Sequence, residues 1–403
     1  MLMIKLPSSL PSHTREMSYF RQTRSSKPAL ALSAVTLLVL LYFFLGPSVD
    51  VSSTLDPLLR ARKSAAAASN PLSPPTSAFR KSKGLLGDAQ HPLTPPPIVH
   101  YQLNNLTASS NPIKNNEKVL ILTPLARFYE EYWANLCALN YPHEHISLGF
   151  ISPKTPQGNE ATKQLQEAVN AYQKGPLDQR FESVTFLRQD FESAITSQDE
   201  KERHKMSNQA ARRASMAKAR NSLLFTTIGP TTSWVLWLDG DIVETPKTLI
   251  QDLTNFDKSI IVPNCFQRYV TDDGKNAIRP YDYNSWRDSD TAQELASKMG
   301  NDEILLEGYA EMPTYRTLMA MLAETDDNRD KRRLMPLDGV GGTALLVKAE
   351  VHRDGAMFPP FSFYHLIETE GFARMARRLG YDSWGLPNYF VRCQNEVMVC
   401  DRD

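Results

Sequence analysis

The feature that most constrains the fold is an apolar run that ends in two carboxylates, Trp234-Val-Leu-Trp-Leu-Asp-Gly-Asp241. The first five residues are all apolar, which predicts a β-strand buried on both faces, as in a mainly parallel sheet. Asp239 and Asp241 flank Gly240, whose missing side chain lets a ligand approach the backbone. Because open α/β sheets bind ligands at the carboxyl ends of their strands, the two aspartates mark the first candidate site.

The residues after this pair predict a helix. Thr245 can cap its amino end and Pro246 suits its first turn. Leu249, Ile250 and Leu253 would then share one face of the helix. The aspartates would therefore lie in the turn between a buried strand and a helix.

Two carboxylates at such a turn suit a hard divalent cation. Mn²⁺ and Mg²⁺ prefer oxygen ligands, and two carboxylates with phosphate oxygens fill much of an octahedral shell. A cation held there would neutralise charge on a departing nucleoside diphosphate. We therefore predict that Asp239 and Asp241 bind Mn²⁺, with Mg²⁺ as the second choice.

Length and charge limit the classes of function. The chain has 403 residues and a formal net charge of zero, so no global field favours nucleic acid as a partner. Apolar residues make up 41% of the chain, enough for a substantial core. One large α/β domain with an amino-terminal tail accounts for the length.

The amino-terminal region predicts a membrane anchor. Residues 1–28 carry five basic side chains and one acid, and Ala29 to Leu45 runs for 17 residues without a charge. A membrane-spanning helix needs about 17 to 25 residues, and the basic flank predicts a cytosolic tail over 1–28. The alternative is a cleaved secretory signal, but no small-x-small cleavage site stands out after Leu45. We predict a type II membrane protein with a span over 29–45.

A spacer follows the predicted span. Residues 46–116 are rich in Pro, Ser and Ala, a composition that predicts an extended luminal stem. The stem contains Asn105-Leu106-Thr107, the only Asn-x-Ser/Thr acceptor in the sequence. The folded catalytic domain is predicted over 117–403.

The four cysteines leave the disulfide pattern open. Cys137, Cys265, Cys393 and Cys400 permit three pairings if all are bridged. Cys393 and Cys400 are the pair closest in sequence, and buried free thiols are an equally good interpretation.

From Lys118 onward, strand and helix patterns alternate. Strands are predicted over 118–125, 146–151, 184–187 and 234–238, and helices over 128–141, 161–172 and 202–226. This alternation predicts an α/β fold with a Rossmann-like, mainly parallel sheet flanked by helices. Thr123, Pro124 and Leu125, at the end of the first strand, would then lie near the ligand crevice.

The helix before the Asp-Gly-Asp strand is basic. Its early charges, Lys201 to Lys205, fit an ordinary solvated face. Arg213 and Arg220 are seven residues apart and share a face, so we expect them to reach diphosphate oxygens and to assist catalysis. Arg212 and Asn221, their neighbours in sequence, are further candidates for donor binding.

Several ordered motifs carry a family resemblance. They are Ala217-Lys-Ala-Arg-Asn221, Trp234 to Asp241, Tyr281-Asp-Tyr-Asn-Ser-Trp286, Glu307-Gly-Tyr-Ala-Glu311 and Asp338-Gly-Val-Gly-Gly342. Together they resemble the fungal mannan polymerase family of Golgi α-1,6-mannosyltransferases. The resemblance runs from about Lys118 to the carboxyl end and includes the layout of anchor and stem.

This resemblance implies a GT-A fold, GDP-mannose as donor, Mn²⁺, and α-1,6-mannosyl transfer to the outer chain of a mannose-containing N-glycan. It also implies a Golgi membrane location and partner mannosyltransferase subunits in a complex. The short stem resembles that of the subunit shared between complexes.

The same motifs supply further candidate residues. Gly341 and Gly342, after Asp338, would let a sugar approach the backbone closely, although an ordinary turn into the strand over 343–347 also explains them. His365 resembles the late histidine that completes the metal shell in many GT-A enzymes, and a satisfied core histidine is the alternative. The remaining candidates for binding donor or acceptor hydroxyls are Asp282, Asn284, Glu307, Glu311 and Asp338.

The mechanism and two competing functions remain open at this point. Transfer from an α-linked donor to an α-linked product retains configuration, and no carboxylate stands out as nucleophile, so we favour same-face attack. A haloacid-dehalogenase-like phosphatase would carry Asp239-Gly-Asp241 on the first strand of its domain, whereas at least three predicted strands precede it here. The other competitor is a non-catalytic scaffold subunit, which donor hydrolysis or transfer would distinguish.

Overall fold

A computed structural model describes most of the chain after residue 98. The described residues are 99–106, 108–190, 206–271, 273–309, 312–324, 326 and 328–394. The predicted membrane span over 29–45, Glu311 and Cys400 lie outside these ranges. Among the residues described, no helix is both long enough and apolar enough to cross a bilayer.

Twelve strands are found within the described ranges. In chain order they are β1 Lys118–Pro124, β2 Ile146–Ser152, β3 Ser183–Arg188, β4 Thr232–Leu238, β5 Ile242–Glu244, β6 Ile260–Val270, β7 Asn276–Pro280, β8 Trp286–Arg287, β9 Thr317–Leu318, β10 Met335–Leu337, β11 Ala344–Lys348 and β12 Ser383–Cys393.

The same ranges contain seven α-helices. They are α1 Glu130–Cys137, α2 Pro156–Tyr172, α3 Met206–Thr227, α4 Leu249–Thr254, α5 Asp290–Lys298, α6 Ala349–Arg353 and α7 Glu368–Arg378.

Ten of the strands form one sheet, in the order β10-β12-β6-β11-β4-β1-β2-β3, with β5 paired to β12 and β7 paired to β6. Strands β8 and β9 pair separately. Strands β1 to β4 are parallel to their neighbours within that group, as predicted. The other half is mixed, because β11 runs antiparallel to both β4 and β6 while β6 and β12 run parallel. The predicted α/β class is confirmed.

Strand β4 lies between β1 and β11 and is buried along its whole length. Its side chains alternate between two hydrophobic layers, as the period of a strand requires. Trp234, Leu236 and Leu238 belong to the layer that includes residues of α1, α2 and α4. Val235 and Trp237 belong to the layer that includes residues of α3, α6 and α7. The continuous apolar run in the sequence therefore reflects burial on both faces, as predicted.

Two predicted helix boundaries are corrected. Helix α2 begins at Pro156, five residues earlier than predicted, because Thr155 accepts a hydrogen bond from the Gly158 N–H at 3.1 Å and caps the helix. The predicted cap at Thr245 is wrong. Both the N–H and the hydroxyl of Thr245 donate to Asn135 Oδ1 of α1, at 3.1 and 3.0 Å, and α4 begins only at Leu249.

Three of the cysteines are described, and all three are unbridged. Cys265 on β6 and Cys393 on β12 are both buried on neighbouring strands. The pairing of Cys393 with Cys400 stays a prediction, since Cys400 lies outside the described residues.

Candidate active site

The two aspartates lie in a tight turn at the carboxyl end of β4. The Asp239 N–H donates to the Thr343 carbonyl oxygen at 2.9 Å, and the Ile242 N–H donates to the Asp239 carbonyl oxygen at 3.0 Å. The backbone therefore reverses around Gly240 directly into β5. These backbone hydrogen bonds fix the turn, so both aspartates lie at the carboxyl end of β4, as the sequence predicted.

The end of β1 packs against the same turn. A Cβ added to Gly240 would lie 3.1 Å from Leu125 Cδ1 and 3.6 Å from both the Pro124 carbonyl oxygen and Thr123 Cγ2. The Thr123 hydroxyl is in turn 2.5 Å from the hydroxyl of Tyr132 on α1. The structure therefore brings Thr123, Pro124 and Leu125 together with the Asp-Gly-Asp turn, and Gly240 permits this close contact.

Arg220 of α3 binds the first aspartate. Its Nη2 donates to Asp239 Oδ1 at 2.9 Å, and its Nε donates to Glu368 Oε1, at the start of α7, at 3.2 Å. The Arg220 side chain is only 3% exposed. One guanidinium thus joins α3, the turn after β4 and the start of α7 by charge-assisted hydrogen bonds.

The surroundings of Arg220 hold the guanidinium in place. Its Cζ lies 5.4 Å from the ring centroid of Trp237 and 5.7 Å from that of Phe358. A Cβ on Gly342 would lie 2.7 Å from Arg220 Nη2, so a side chain there would displace the arginine. The remaining amino group, Nη1, is buried and has no hydrogen-bond partner. Arg220 therefore retains a donor that a bound oxyanion could use.

The charges around Asp239 are unbalanced. The pKa of Asp239 is raised to about 7, because burial and the carboxylates of Asp241 and Glu368 raise it by more than Arg220 lowers it. A fraction of the side chain, 27%, still reaches solvent. Three carboxylates therefore surround one guanidinium, and the oxygens of the two aspartates are the ligands that a hard divalent cation prefers.

Asp241 is oriented by a tyrosine that follows β7. The Tyr281 hydroxyl donates to Asp241 Oδ2 at 3.1 Å. The nearby Asp241 carboxylate, together with burial, raises the pKa of Tyr281, so the phenol stays protonated and remains a donor. The Gln394 N–H also donates to the Asp241 carbonyl oxygen, at 2.7 Å. Both the side chain and the backbone of Asp241 are therefore held.

Arg213 belongs to a second buried network. Its Nη1 donates to Glu370 Oε2, and its Nη2 donates to Asn284 Oδ1 at 2.9 Å. Glu370 is 0% exposed and also accepts the indole N–H of Trp286 at 2.8 Å. The predicted residues Arg213 and Asn284 are thus brought together, but the guanidinium is engaged by a carboxylate of the protein.

Asp282 is buried against the glycine motif. Its Oδ1 accepts the Asn284 N–H at 2.9 Å, and a Cβ on Gly341 would lie only 1.5 Å from its Oδ2. Burial raises the pKa of Asp282. Packing against this carboxylate therefore requires a glycine at position 341, and the sugar-binding role of Gly341 stays a prediction.

Other predicted residues make their described contacts away from the turn around Gly240. Asn221 donates its amide to the Phe358 carbonyl oxygen at 2.7 Å and accepts the Phe358 N–H at 3.0 Å. Arg212 Nη1 donates to Gln209 on the same helix at 3.4 Å. Glu307 accepts the Thr314 hydroxyl at 2.6 Å and lies 3.5 Å from Arg316 Nη1.

Asp338 and Glu311 complete the set of predicted carboxylates. Asp338 is bound by Arg377 and by the Asp288 N–H, the latter at 2.9 Å. Glu311 lies outside the described residues. Asp338 is joined by no described contact to the turn around Gly240.

His365 lies on the loop before α7. Its Nδ1 is 3.2 Å from the Glu303 carbonyl oxygen, which makes Nδ1 the donor and leaves the lone pair on Nε2. Histidines that bind metal commonly donate their other ring nitrogen to a carbonyl in this way. Across the described residues, no three His, Cys, Asp or Glu side chains are grouped so that they could hold a metal ion. The structure therefore does not bring His365 together with the two aspartates.

Three residues of the site, Tyr281, Glu368 and Glu370, were not predicted from the sequence. Tyr281 is the first residue of the motif Tyr281 to Trp286, but the motif alone indicated no role for it. In the sequence, Glu368 and Glu370 are marked only by their position just after the aromatic loop that contains His365. Glu368 also has a positive φ of 54°, an uncommon conformation for a residue with a side chain.

Comparison with known proteins agrees with the motif resemblance. A family model described as Anp1 matches residues 97–362. The chain is 57% identical over 296 residues to the mannan polymerase complex subunit mnn9 of Schizosaccharomyces pombe, covering 73% of this chain and 86% of that protein. It is 48% identical over 387 residues to the mannan polymerase complex subunit MNN9 of Candida albicans, covering 95% and 98% of the two chains.

The fold overlaps only loosely with that of a solved mannosyltransferase. A mannosyltransferase from Pyrobaculum calidifontis, in complex with GDP-Man and Mn²⁺, superposes with a TM-score of 0.36 at 12% identity, covering 68% of this chain and 56% of that one. So loose a superposition supports no conclusion about this protein. The family model and the two fungal relatives decide the assignment: the chain belongs to the Anp1 family of mannan polymerase subunits.

Proposed function

We propose that this protein is a metal-dependent, retaining mannosyltransferase that moves mannose from GDP-mannose to a mannoside acceptor. The linkage would be the α-1,6 bond of the outer chains of N-glycans. One observation carries this proposal: Arg220 and the Asp239-Gly240-Asp241 turn meet at the end of β4 in a member of the Anp1 family. The fungal relatives are named as mannan polymerase subunits, which supports mannose as the transferred sugar.

Asp239 and Asp241 would hold the cation, Mn²⁺ or alternatively Mg²⁺. When bound, the cation would neutralise the negative charge of the diphosphate. Tyr281 keeps Asp241 oriented for this task through its hydroxyl. The surplus of carboxylates at the turn supports the assignment.

Arg220 would bind the diphosphate oxygens of the donor through Nη1, the group that has no partner inside the protein. Its other two nitrogens stay on Asp239 and Glu368, so the guanidinium keeps its orientation during catalysis. A donor fixed in advance stabilises the charge that develops on the leaving group without reorganisation. Arg213, bound to Glu370 and Asn284, would hold in place the helix whose first residue, Glu368, binds Arg220.

Retention would follow from same-face attack. The bond between the anomeric carbon and the diphosphate oxygen breaks, and the acceptor hydroxyl attacks from the face that the diphosphate leaves. The hydroxyl proton passes to the departing diphosphate oxygen. Glu368 and Glu370 are each engaged by an arginine, and Asp282 is buried under Gly341. This engagement supports a mechanism without a carboxylate nucleophile.

We further propose that the protein is a single-pass type II protein of the Golgi membrane and that it acts together with other mannosyltransferase subunits. The charge pattern of residues 1–45 supports the topology. The relatives are named as subunits of mannan polymerase complexes, which supports partner subunits.

The test is transfer from GDP-mannose to a short α-1,6-mannoside by the purified full chain in the presence of Mn²⁺. The inactive reference is the double variant Asp239→Asn/Asp241→Asn. A matched control is Asp178→Asn, which removes one exposed carboxylate of a short 3₁₀ helix far along the chain from the turn. We expect metal-dependent product from the wild type and from Asp178→Asn, and none from the double variant.

Two outcomes would count against this function. GDP binding without turnover, by the protein alone, would favour a scaffold that acts only with partners. Loss of GDP binding as well would remove the donor-site assignment. The phosphatase alternative is disfavoured, because β4 is the fourth strand of the domain rather than the first.

A further inference from the structure

A cavity lies beside the carboxyl-terminal half of α7, apart from the candidate active site. Its volume is about 700 Å³, and it is lined by charged side chains, namely Arg287, Asp288, Asp338, Arg374, Arg377 and Arg378. Arg220 contacts Glu368, the first residue of α7, whereas Arg377 lies nine residues further on. At 1.5 Å per residue this is about 13 Å along the helix axis. The cavity is therefore separate from the turn that carries Asp239.

Both aspartates of this cavity are already engaged. Asp338 is bound by Arg377 and accepts the Asp288 N–H at 2.9 Å. Asp288 accepts from Arg316 Nε at 3.0 Å and lies 3.5 Å from Arg374 Nη2. Their negative charge is thus balanced by arginines, one of which, Arg316, is not part of the lining.

The other lining arginines leave a surplus of positive charge. Arg287 and Arg378 form no ion pair with any carboxylate that the structure describes. Arg378 instead lies with its Cζ 5.8 Å from the ring centroid of Tyr364. Arg374 Nε is buried and has no hydrogen-bond partner. The cavity therefore offers two uncompensated guanidinium groups and one buried, unused N–H donor.

We propose that this cavity binds an oxyanion of the phosphate class. Guanidinium groups present planar, paired donors that match the oxygens of phosphate, and such pairs are charge-assisted. The buried Arg374 Nε would gain the partner that the protein does not supply, which favours a specific ligand over a diffuse cloud of counter-ions. The adjoining cleft of about 240 Å³ includes Asp382 in its lining, so the larger cavity is the more favourable place for an anion.

This inference goes beyond the proposed transfer reaction, since none of the lining residues takes part in it. The phosphate could be inorganic phosphate or the phosphate group of a nucleotide, because both present the same oxygens. The cavity arginines Arg374, Arg377 and Arg378 lie on the same helix, α7, that begins with Glu368 and Glu370. A ligand bound in the cavity would therefore contact the helix that carries these two glutamates.

The test is binding of labelled inorganic phosphate to the purified full chain at constant ionic strength, with chloride as the balancing anion. We expect saturable binding that the double variant Arg287→Gln/Arg378→Gln weakens at least tenfold. Both of these side chains are exposed, so the variant should keep its thermal unfolding temperature. The control is Lys163→Gln/Lys174→Gln, which removes the same charge from exposed positions on and just after α2. It should bind phosphate as the wild type does.

Competition distinguishes the two sources of phosphate. In the Asp239→Asn/Asp241→Asn background, displacement of labelled phosphate by GDP would identify a nucleotide phosphate as a ligand of this cavity. Displacement only by inorganic phosphate or diphosphate would identify the free anion. The proposal is overturned if wild-type binding does not saturate, if the arginine variant keeps the wild-type affinity, or if the lysine control loses as much.

Discussion

Arg220 and Asp239 form an ion pair of 2.9 Å between α3 and the end of β4. The arginine side chain is 3% exposed and the aspartate side chain 27%. The same guanidinium binds Glu368, so one buried cation serves two carboxylates that come from different parts of the chain. The pair is therefore both a structural link and the centre of the proposed donor site.

Removal of this cation should destabilise the fold. We expect Arg220→Gln to lower the free energy of unfolding by roughly 3 kcal/mol, since it leaves Asp239 and Glu368 largely buried without a counter-charge. Urea unfolding of the full chain, followed by tryptophan fluorescence, measures the change. Arg268→Gln is the control, because Arg268 and Glu244 form a half-exposed pair. Loss of an exposed pair of this kind should lower the free energy of unfolding by about 1 kcal/mol or less. Equal losses in the two variants would contradict this account of Arg220.

Gly341 should tolerate no side chain. A Cβ at this position would lie 1.5 Å from Asp282 Oδ2, while Asp282 is held by its bond to the Asn284 N–H. We expect Gly341→Ala to cost about 1 to 3 kcal/mol of stability, the range for overpacking a buried site. Thermal unfolding and urea unfolding both measure this loss of stability.

Gly229→Ala serves as the matched control for Gly341→Ala. A Cβ at Gly229 would meet Thr232 Oγ1 at 3.6 Å, an ordinary contact, and the N–H that donates to this oxygen is retained. Gly229→Ala should change the free energy of unfolding by no more than about 0.5 kcal/mol. A Gly341 variant as stable as the Gly229 variant would show that the Asp282 loop moves easily.

Acid should destabilise the protein through His352. Burial lowers the pKa of His352 from 6.5 to about 4. The reason is visible in its contacts. Its Nδ1 is 2.8 Å from the Ala356 carbonyl oxygen, while its Nε2 accepts the Trp237 indole N–H at 3.3 Å. A proton on Nε2 would face that donor. The folded protein therefore favours neutral His352.

The sign of the pH effect follows from this pKa. Between pH 6.5 and pH 4 the unfolded chain binds a proton at His352 that the folded chain does not, so stability falls as the pH falls. The loss between pH 7 and pH 4.5 should be about 2 kcal/mol. His352→Gln should remove this part of the acid dependence, and His145→Gln, at a less buried histidine, should not. Parallel stability curves for the wild type and His352→Gln would refute the assignment.

The part of the fold that the sequence predicts is the part set by local patterns. Strands β1 to β4 follow from apolar runs, and the Asp-Gly-Asp turn follows from the end of the longest one. Strand β11 was also expected, but its antiparallel direction was not. A short apolar strand has the same pattern in either direction, so only the tertiary fold determines its orientation.

The partners of the site residues could not be predicted in the same way. Glu368 lies 148 residues after Arg220, and its place after the aromatic loop that contains His365 does not indicate which residue it binds. Asn221 shows the opposite case. It stands beside Arg220 in the motif, yet its amide binds the backbone of Phe358, 137 residues away. Composition and spacing identify which side chains are available, whereas packing decides which of them meet.

Tyr281 should affect the binding of the cation without touching it. Its hydroxyl donates to Asp241 Oδ2 at 3.1 Å, so Tyr281→Phe leaves the ring in place and removes only the bond that orients this carboxylate. Loss of a hydrogen bond that orients a metal ligand typically weakens metal affinity by about 10- to 100-fold. We expect a loss of about tenfold in Mn²⁺ affinity at saturating GDP, measured by the electron paramagnetic resonance signal of free Mn²⁺. Tyr269→Phe is the control, since Tyr269 lies on the adjoining hairpin and its ring lies near Arg279. If both variants bind Mn²⁺ as the wild type does, Asp241 either keeps its orientation without Tyr281 or is not a ligand.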